Sequence, residues 1–292
     1  MTWLDFQEQL VRLAGLQLFF VGGAPRSGTT WLQQMLNAHP EVSCRGEALL
    51  QKHLAVPLEE MMQARTKNLA AKNTTLFQHT GGYPLPATED TEHLLGTGIL
   101  LALLRQGFGP NCRAVGEKTP ENVFFFPQLK KLFPQAKFIA IARDPRDVLA
   151  SAWHFFNKDV PAAEAMAVKL KFVHTALPSL HQGAAAMIGL SKEFSEDYAM
   201  VTYETLLETP EVLLANLFAF LEVSNDAGIV GECLATTSFT AQTGGRHQGT
   251  SQDGAFLRNG RAGDWKSVLT AEMNDIVLAK LGWMFPHFGW KA

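Results

Sequence analysis

The chain has few cysteines, little net charge and no long apolar run, and each absence excludes a class of protein. Its 292 residues contain three cysteines and no CxxC pair, so neither a disulfide framework nor a zinc site is expected. Together with an N-terminus that lacks a basic leader region, this pattern predicts a cytoplasmic location. The net charge of −3 argues against nucleic acid or an anionic membrane as the main partner. No apolar run reaches the ~18 residues of a membrane span, so none is predicted.

Strand-like apolar segments alternate with helix-like segments along the chain. Residues 16–21 form an apolar run before a glycine-rich turn, and residues 137–142 form a second. This alternation predicts an α/β fold with a central parallel β-sheet flanked by helices, in one domain over residues 1–292. Residues 48–110 are predicted to be a helical insertion. Residues 237–263, rich in Gly, Ser, Thr and Gln, are predicted to form a long lid loop.

The turn after the first apolar run has the composition of an anion-binding loop. Glycines let the backbone approach an anion closely, and the helix that follows directs its first N–H groups to the same point. The Arg26 guanidinium and the hydroxyls of Thr29 and Thr30 are further donors. The loop residues expected to contact the ligand are Arg26, Ser27, Gly28, Thr29, Thr30 and Trp31.

The same loop departs from the pattern of a nucleotide triphosphatase. Gly23 and Gly28 have the Walker A spacing, but Thr29 stands where that pattern has lysine. The cation lies earlier, at Arg26, which argues against hydrolysis of ATP or GTP, and no metal ion is expected. Two alternatives remain on the residues alone: a small-molecule kinase that uses ATP and Mg²⁺, and a non-catalytic nucleotide-binding module.

Three segments, in chain order, resemble motifs of the sulfotransferases that use PAPS (3′-phosphoadenosine 5′-phosphosulfate). Residues 25–31 are similar to the loop that binds the 5′-phosphosulfate in that family, and residues 143–151 resemble its 3′-phosphate motif. Residues 258–266 are similar to the loop over the adenosine 3′-phosphate, with Asn259 where lysine is usual. The resemblance implies a P-loop-like sulfotransferase fold, with PAPS as donor and PAP as product. The donor-binding residues that it adds are Arg143, Ser151, Tyr203, Arg258, Asn259 and Gly260.

The resemblance also implies a base for the acceptor proton. Lys118 is present, but Pro120 stands where the cytosolic members of the family carry histidine. Glu47 matches the glutamate of the tyrosylprotein and heparan-type members. The resemblance therefore implies Glu47 as the general base, with Lys118 and Arg26 next to the transferred group to stabilise its charge.

The activity that this resemblance implies is transfer of the PAPS sulfonate to a hydroxyl or amine. It does not identify the acceptor, and a small molecule, a carrier-bound chain and a peptide are all compatible with it. Residues 48–110 offer apolar side chains for an acceptor pocket, which predicts a partly apolar acceptor. Examples are Leu54, Met61, Met62 and Phe77.

Overall fold

A computed structural model describes residues 2–157, 159–161, 163–252, 255 and 257–292 of the chain. Residues 253, 254 and 256 of the predicted lid lie outside the described residues. The centre of the fold is a parallel sheet, as the sequence predicts, and it has five strands among the described residues. Its strands are β1 (Gln17–Gly23), β2 (Val42–Ser43), β3 (Ala114–Lys118), β4 (Lys137–Ala142) and β5 (Tyr198–Thr202).

Helices connect and cover these strands. The segment 48–110 is largely helical, and the helix at Ala165–Glu193 continues through Pro178. The helices are α1 (Trp3–Ala14), α2 (Thr29–Asn37), α3 (Val56–Thr75), α4 (Thr88–Arg105), α5 (Asn122–Leu132), α6 (Pro145–Phe156), α7 (Ala165–Glu193), α8 (Tyr203–Glu208), α9 (Pro210–Phe220), α10 (Ala227–Thr236), α11 (Phe239–Gln242), α12 (Ala271–Leu281) and α13 (Phe285–Phe288), with a π-helical turn at Gln51–Ala55 and 3₁₀ turns at Ser195–Asp197, Asp264–Ser267 and Gly282–Met284.

The sheet is buried on both faces because its strands are apolar on both sides. Successive side chains of a strand point to opposite faces. Accordingly, Phe20 and Phe138 pack into one cluster with side chains from α1, α4, α5, α7 and α12. Phe19 and Ile139 pack into a second cluster with α2, α9 and α10. This burial explains why the central strands are continuous apolar runs in the sequence rather than alternating apolar and polar residues.

The strand order places a crevice at the carboxyl end of β1. The order is β2–β3–β1–β4–β5, so the chain leaves β1 to build one side of the sheet and later crosses to build the other. Val21 lies beside Lys118 of β3, and Gly23 lies beside Ile141 of β4. In open α/β sheets, ligands bind at such a switch point. The loops after β1, β3 and β4 therefore meet at one edge.

No helix in the described part of the chain is long and apolar enough to cross a membrane.

Candidate functional site

A cavity of about 310 Å³ at the carboxyl ends of the strands brings most of the predicted site residues together. Among the described residues, the predicted Ser27 and Lys118 do not line it; both side chains are buried next to it. The predicted residues that do line it are Arg26, Gly28, Thr29, Thr30, Trp31, Glu47, Arg143, Ser151, Tyr203, Arg258, Asn259 and Gly260.

The loop at residues 25–31, called the phosphate loop below, leads from β1 into α2 through a turn with unusual backbone angles. Gly28 has a φ of 97°, and a Cβ at this position would lie 2.6 Å from the Tyr203 ring. Only glycine fits both the angle and the close approach. Arg26 has a φ of 70°, which costs a non-glycine residue about 1–2 kcal/mol. The loop is thus held in a shape that its neighbours impose.

Buried contacts fasten this loop to the sheet and leave the start of α2 available. The Ser27 hydroxyl donates to the Ile141 carbonyl of β4 at 3.2 Å. No side chain in the described part of the chain caps α2, which begins at Thr29. The first N–H groups of the helix therefore have no side-chain acceptor and can bind an anion in the cavity.

A second cationic region lies beside the loop. The Arg26 Nε donates to the Ser151 hydroxyl at 3.3 Å, and the guanidinium lies 4.5 Å from the centre of the Phe155 ring. Arg143 lies 4.2 Å from the centre of the Tyr203 ring and donates to the Arg26 carbonyl at 3.3 Å. Burial, and then the charge of Arg143, lower the pKa of Arg26. An anion bound between the two guanidinium groups would relieve their repulsion.

Glu47 and Lys118 form an ion pair at the edge of the cavity. The Lys118 Nζ lies 2.5 Å from Glu47 Oε1 and donates to the Thr30 hydroxyl at 3.1 Å. The Glu47 side chain is 43% exposed, whereas that of Lys118 is 2% exposed. The carboxylate can therefore meet a ligand, while the ammonium orients both Glu47 and Thr30 from behind the cavity wall.

The predicted lid residues are held by charged neighbours. The Asn259 Nδ2 donates to Asp264 at 2.8 Å, and Arg258 forms an ion pair with the same carboxylate. Arg246, which no local sequence pattern distinguishes, donates to the carbonyls of Leu257 and Arg258. Asp264 thus neutralises part of the positive charge that the resemblance assigns to phosphate binding.

Asp147 of α6 fastens the end of the lid. Its carboxylate accepts hydrogen bonds from the Gly263 N–H at 2.6 Å and the Trp265 N–H at 2.9 Å. Burial raises the pKa of Asp147, while Arg143 and these two hydrogen bonds oppose the rise. The lid is therefore anchored by a carboxylate that lies one helical turn from the second cationic region.

Replacing Asp147 with asparagine tests this anchor. The amide keeps the shape but has one acceptor oxygen for two N–H donors, so we expect the Kd for PAP to rise about tenfold, as for one lost hydrogen bond to a charged group. Titration calorimetry with PAP measures it. The control is Asp159→Asn at an exposed position on the next loop. An unchanged Kd in Asp147→Asn would show that the anchor does not act on the ligand.

Several aromatic residues of the cavity were not identified from the sequence. Phe155 lies one helical turn after Ser151 and so shares its face of α6, a signal that was present in the spacing. Phe156 follows it. Phe239 lies in α11, inside the segment predicted to be a loop, and no local pattern distinguishes it. Its contact with Gly260 depends on the lid folding back.

The site fits a nucleotide that carries phosphate groups at two positions. Arg143 Nε is buried and has no hydrogen-bond partner among the described residues. A buried donor of this kind is expected to have a partner, and Arg143 lines the same cavity as Ser151 and Arg26. The α2 N-terminus is a separate anion site in the same cavity. PAP has one phosphate for each of them.

Comparisons with known proteins agree with this geometry. Residues 19–227 match the model of the family described as "Sulfotransferase family". A putative protein-tyrosine sulfotransferase of Caenorhabditis briggsae is 28% identical over 214 residues, covering 71% of this chain and 66% of that protein. Protein-tyrosine sulfotransferase 1 of Danio rerio is 29% identical over 217 residues, covering 73% and 55%. The chain thus spans about half to two thirds of the length of these relatives.

A solved structure supports the fold. A mouse sulfotransferase in complex with PAP superposes with a TM-score of 0.57 at 16% identity, covering 94% of this chain and 86% of that one. The predicted fold class, a parallel sheet flanked by helices in the sulfotransferase arrangement, is confirmed.

The predicted cytoplasmic location is wrong. It rested on the small number of cysteines and on the N-terminal sequence, and neither feature identifies a compartment. The curated relatives named above are protein-tyrosine sulfotransferases, which are Golgi membrane enzymes.

Proposed function

The chain belongs to the sulfotransferase family, and on that premise we propose that it transfers the sulfonate of PAPS to a hydroxyl or amine of an acceptor. One observation carries the proposal. A half-exposed carboxylate, Glu47, is joined through Lys118 to Thr30, a residue of the phosphate loop. A candidate base and the expected position of the sulfonate are therefore linked by one lysine.

The donor is assigned to the two anion sites. The α2 N–H groups with Thr29 and Thr30 bind the 5′-phosphosulfate, and Arg143 with Ser151 binds the 3′-phosphate. Arg26 belongs to the loop, but its guanidinium reaches Ser151, so it connects the two sites. Trp31 and Tyr203, whose ring centres lie 5.7 Å apart, face the adenine side. We assign residues 237–263 to a lid over the donor, with Arg258, Asn259 and Gly260 contributing to it.

The transfer step needs a base and positive charge. Lys118 contacts Oε1 of Glu47, so we assign Oε2 as the atom that takes the proton from the acceptor. The acceptor oxygen or nitrogen forms its bond to sulfur as the bond between sulfur and the bridging oxygen of PAPS breaks, and PAP leaves. Arg26 and the loop N–H groups, with Lys118 acting through its hydrogen bond to Thr30, stabilise the negative charge that develops on the bridging oxygen as its bond to sulfur breaks.

We infer a phenolic acceptor, such as a tyrosine side chain of a peptide. The relatives that the chain matches are named for protein tyrosine. Apolar side chains that suit an aromatic ring, among them Leu49, Pro120, Phe155 and Phe156, line the same cavity as Glu47. A small phenolic metabolite has the same reacting group, so both are included in the tests below.

The helical insertion contributes less to this cavity than the sequence predicts. Among the described residues of 48–110, Leu49 lines the cavity, whereas Met62 is buried in the protein and Leu54 packs against its core. Met61 and Phe77 are exposed on the surface. We therefore propose that the insertion binds the outer part of an acceptor rather than the ring that reacts.

Nucleotide binding separates this function from its alternatives. We expect PAP to bind in the presence of EDTA at least about tenfold more tightly than ADP or ATP, because the charge-assisted contacts of the 3′-phosphate are absent from both. Titration calorimetry measures the three affinities. Tighter, Mg²⁺-dependent binding of ATP would favour a kinase. Binding of PAP without sulfonate transfer to tyrosine peptides or 2-naphthol would favour a non-catalytic module.

A further inference from the structure

A buried carboxylate beside Lys118 has no direct contact with the catalytic cavity. Glu117 is 4% exposed, and among the described residues it does not line that cavity. Its oxygens accept three hydrogen bonds, from the Ala48 N–H at 2.7 Å, the Thr119 hydroxyl at 2.6 Å and the Asn122 Nδ2 at 2.6 Å. Burial raises the pKa of Glu117, and these hydrogen bonds oppose the rise. A buried carboxylate that accepts three hydrogen bonds is a specific structural element of the fold rather than a solvated surface group.

The segment that contains Glu47 is hydrogen-bonded to this carboxylate. Residues 46–49 belong to neither a helix nor a strand. Leu49 has a φ of 51°, an angle that costs a non-glycine residue energy. Besides the ion pair of Glu47 with Lys118, three hydrogen bonds hold this segment to β3 and to the residue after it: Ala48 N–H to Glu117, Leu49 N–H to the Thr119 hydroxyl at 3.2 Å, and Lys118 N–H to the Gly46 carbonyl at 3.3 Å.

The space behind this segment shows why packing alone does not place it. A second cavity of about 170 Å³ is lined by residues 45–48 on one side and by Gln106, Gly116 and Glu117 on the other. This cavity opens to solvent, so the residues that line it have fewer packed neighbours on that side. The hydrogen bond from Ala48 to Glu117 joins two residues that line this cavity, and it holds the residue next to Glu47.

The same carboxylate is connected to the phosphate loop. Asn122, which donates to Glu117, also donates to the Val21 carbonyl of β1 at 3.1 Å. The Gly23 N–H, at the end of β1, donates to the Pro120 carbonyl at 2.8 Å. Glu117 therefore lies where three parts of the site come together: residues 46–49, Lys118, and β1, the strand that leads into the phosphate loop.

We propose that Glu117 is a positioning residue that holds the Glu47 carboxylate in register with Lys118 and the phosphate loop. This inference rests on the proposed function, because it assigns Glu47 as the base. Transfer depends on near-attack geometry, and a displacement of about 1 Å can cost about 10²-fold in rate. The α2 N–H groups and Arg143, to which we assign the donor, form no hydrogen bond with Glu117 among the described residues, so PAP affinity is expected to depend less on this geometry.

Three variants of the full chain test the inference. Glu117→Leu removes every acceptor oxygen, Glu117→Gln restores one, and Thr119→Val removes the partner of Leu49 while it preserves the buried acid. Hydrogen exchange of the Ala48 and Leu49 amides, measured in protein saturated with PAP and without any acceptor, reports whether residues 46–49 keep their position. Turnover of PAPS with 2-naphthol and with a tyrosine peptide gives kcat and KM.

We expect amide exchange at Ala48 to become about tenfold faster in Glu117→Leu, as for the loss of one hydrogen bond, and to be partly restored in Glu117→Gln. In Thr119→Val we expect the increase at Leu49. In all three variants kcat falls, by about 10²-fold in Glu117→Leu, while KM and the Kd for PAP stay the same. If Glu117→Leu does not fold, Glu117→Gln and Thr119→Val decide the question with the same measurements.

Unchanged exchange at Ala48 and Leu49 would overturn the inference. A parallel loss of PAP affinity and kcat would also overturn it, because Glu117 would then support the whole site rather than Glu47. Failure of the wild-type chain to bind PAP would instead contradict the proposed function. The control is Glu60→Gln on the exposed face of α3, which should change none of these quantities.

Discussion

Replacing Glu47 with glutamine is expected to lower kcat about 10²–10⁴-fold, the range that a general base contributes, while PAP binds as before. The amide has nearly the same shape and can still accept a hydrogen bond from Lys118 through its oxygen. It cannot take a proton from the acceptor. Initial rates with radiolabelled PAPS and a tyrosine peptide or 2-naphthol give kcat and KM, and calorimetry gives the Kd for PAP.

Two comparisons make the Glu47 result specific. Glu60→Gln makes the same chemical change at an exposed position of α3 and should leave kcat unchanged. Glu47→Ala differs from Glu47→Gln in leaving the buried Lys118 ammonium without its carboxylate partner, so it should also lower the melting temperature. Full turnover in Glu47→Gln would remove Glu47 from the mechanism and assign the proton to another group.

Replacing Arg143 with alanine is expected to raise the Kd for PAP about 10–100-fold, since one charge-assisted hydrogen bond contributes about 1.5–3 kcal/mol. The change should be much smaller for AMP, which has the 5′-phosphate but lacks the 3′-phosphate. Arg143 also stacks on Tyr203 and donates to the Arg26 carbonyl, so some loss with both ligands is expected. The difference between the two ligands isolates the 3′-phosphate contact.

Calorimetric titration of both ligands into wild type and Arg143→Ala measures this difference. Arg105→Ala, at the exposed end of α4, is the matched control and should bind both ligands like the wild type. An equal loss of PAP and AMP affinity would show that Arg143 supports the phosphate loop rather than contacting the 3′-phosphate. No loss with either would place the 3′-phosphate elsewhere.

Local sequence patterns predicted the central strands of the fold and the edge strand β5, but missed the other edge strand, β2. Strand β4 begins and ends where the apolar run does, at Lys137 and Ala142, because a strand buried on both faces is a continuous apolar segment. β2 has two residues, Val42 and Ser43, too few to show any periodicity. Its position was set by pairing with β3, a long-range contact. The short helix α11 within the predicted lid was missed for the same reason.

In the candidate site, too, local sequence patterns predicted the adjacent residues but not the contacts between distant ones. The phosphate loop was found because a strand, a glycine-rich turn and a helix start are adjacent in sequence. The resemblance pointed to Glu47, but not to the atoms around it. Lys118 meets Glu47 from 71 positions away, and Arg26 meets Ser151 from 125 positions away. No local rule gives the distance between such pairs.

The sequence by itself determined that this chain forms a buried parallel sheet with an anion-binding turn after its first strand, because hydrophobic runs and glycine-rich turns act over a few residues. It also determined, through the absent lysine at Thr29, that the turn differs from that of a nucleotide triphosphatase. Only the tertiary structure decided that Lys118 is buried behind the cavity wall and that Glu117 and Asp147 hold the segments around the site. Burial and hydrogen-bond partners across the sheet depend on strand order and register, which are set when distant segments pack together.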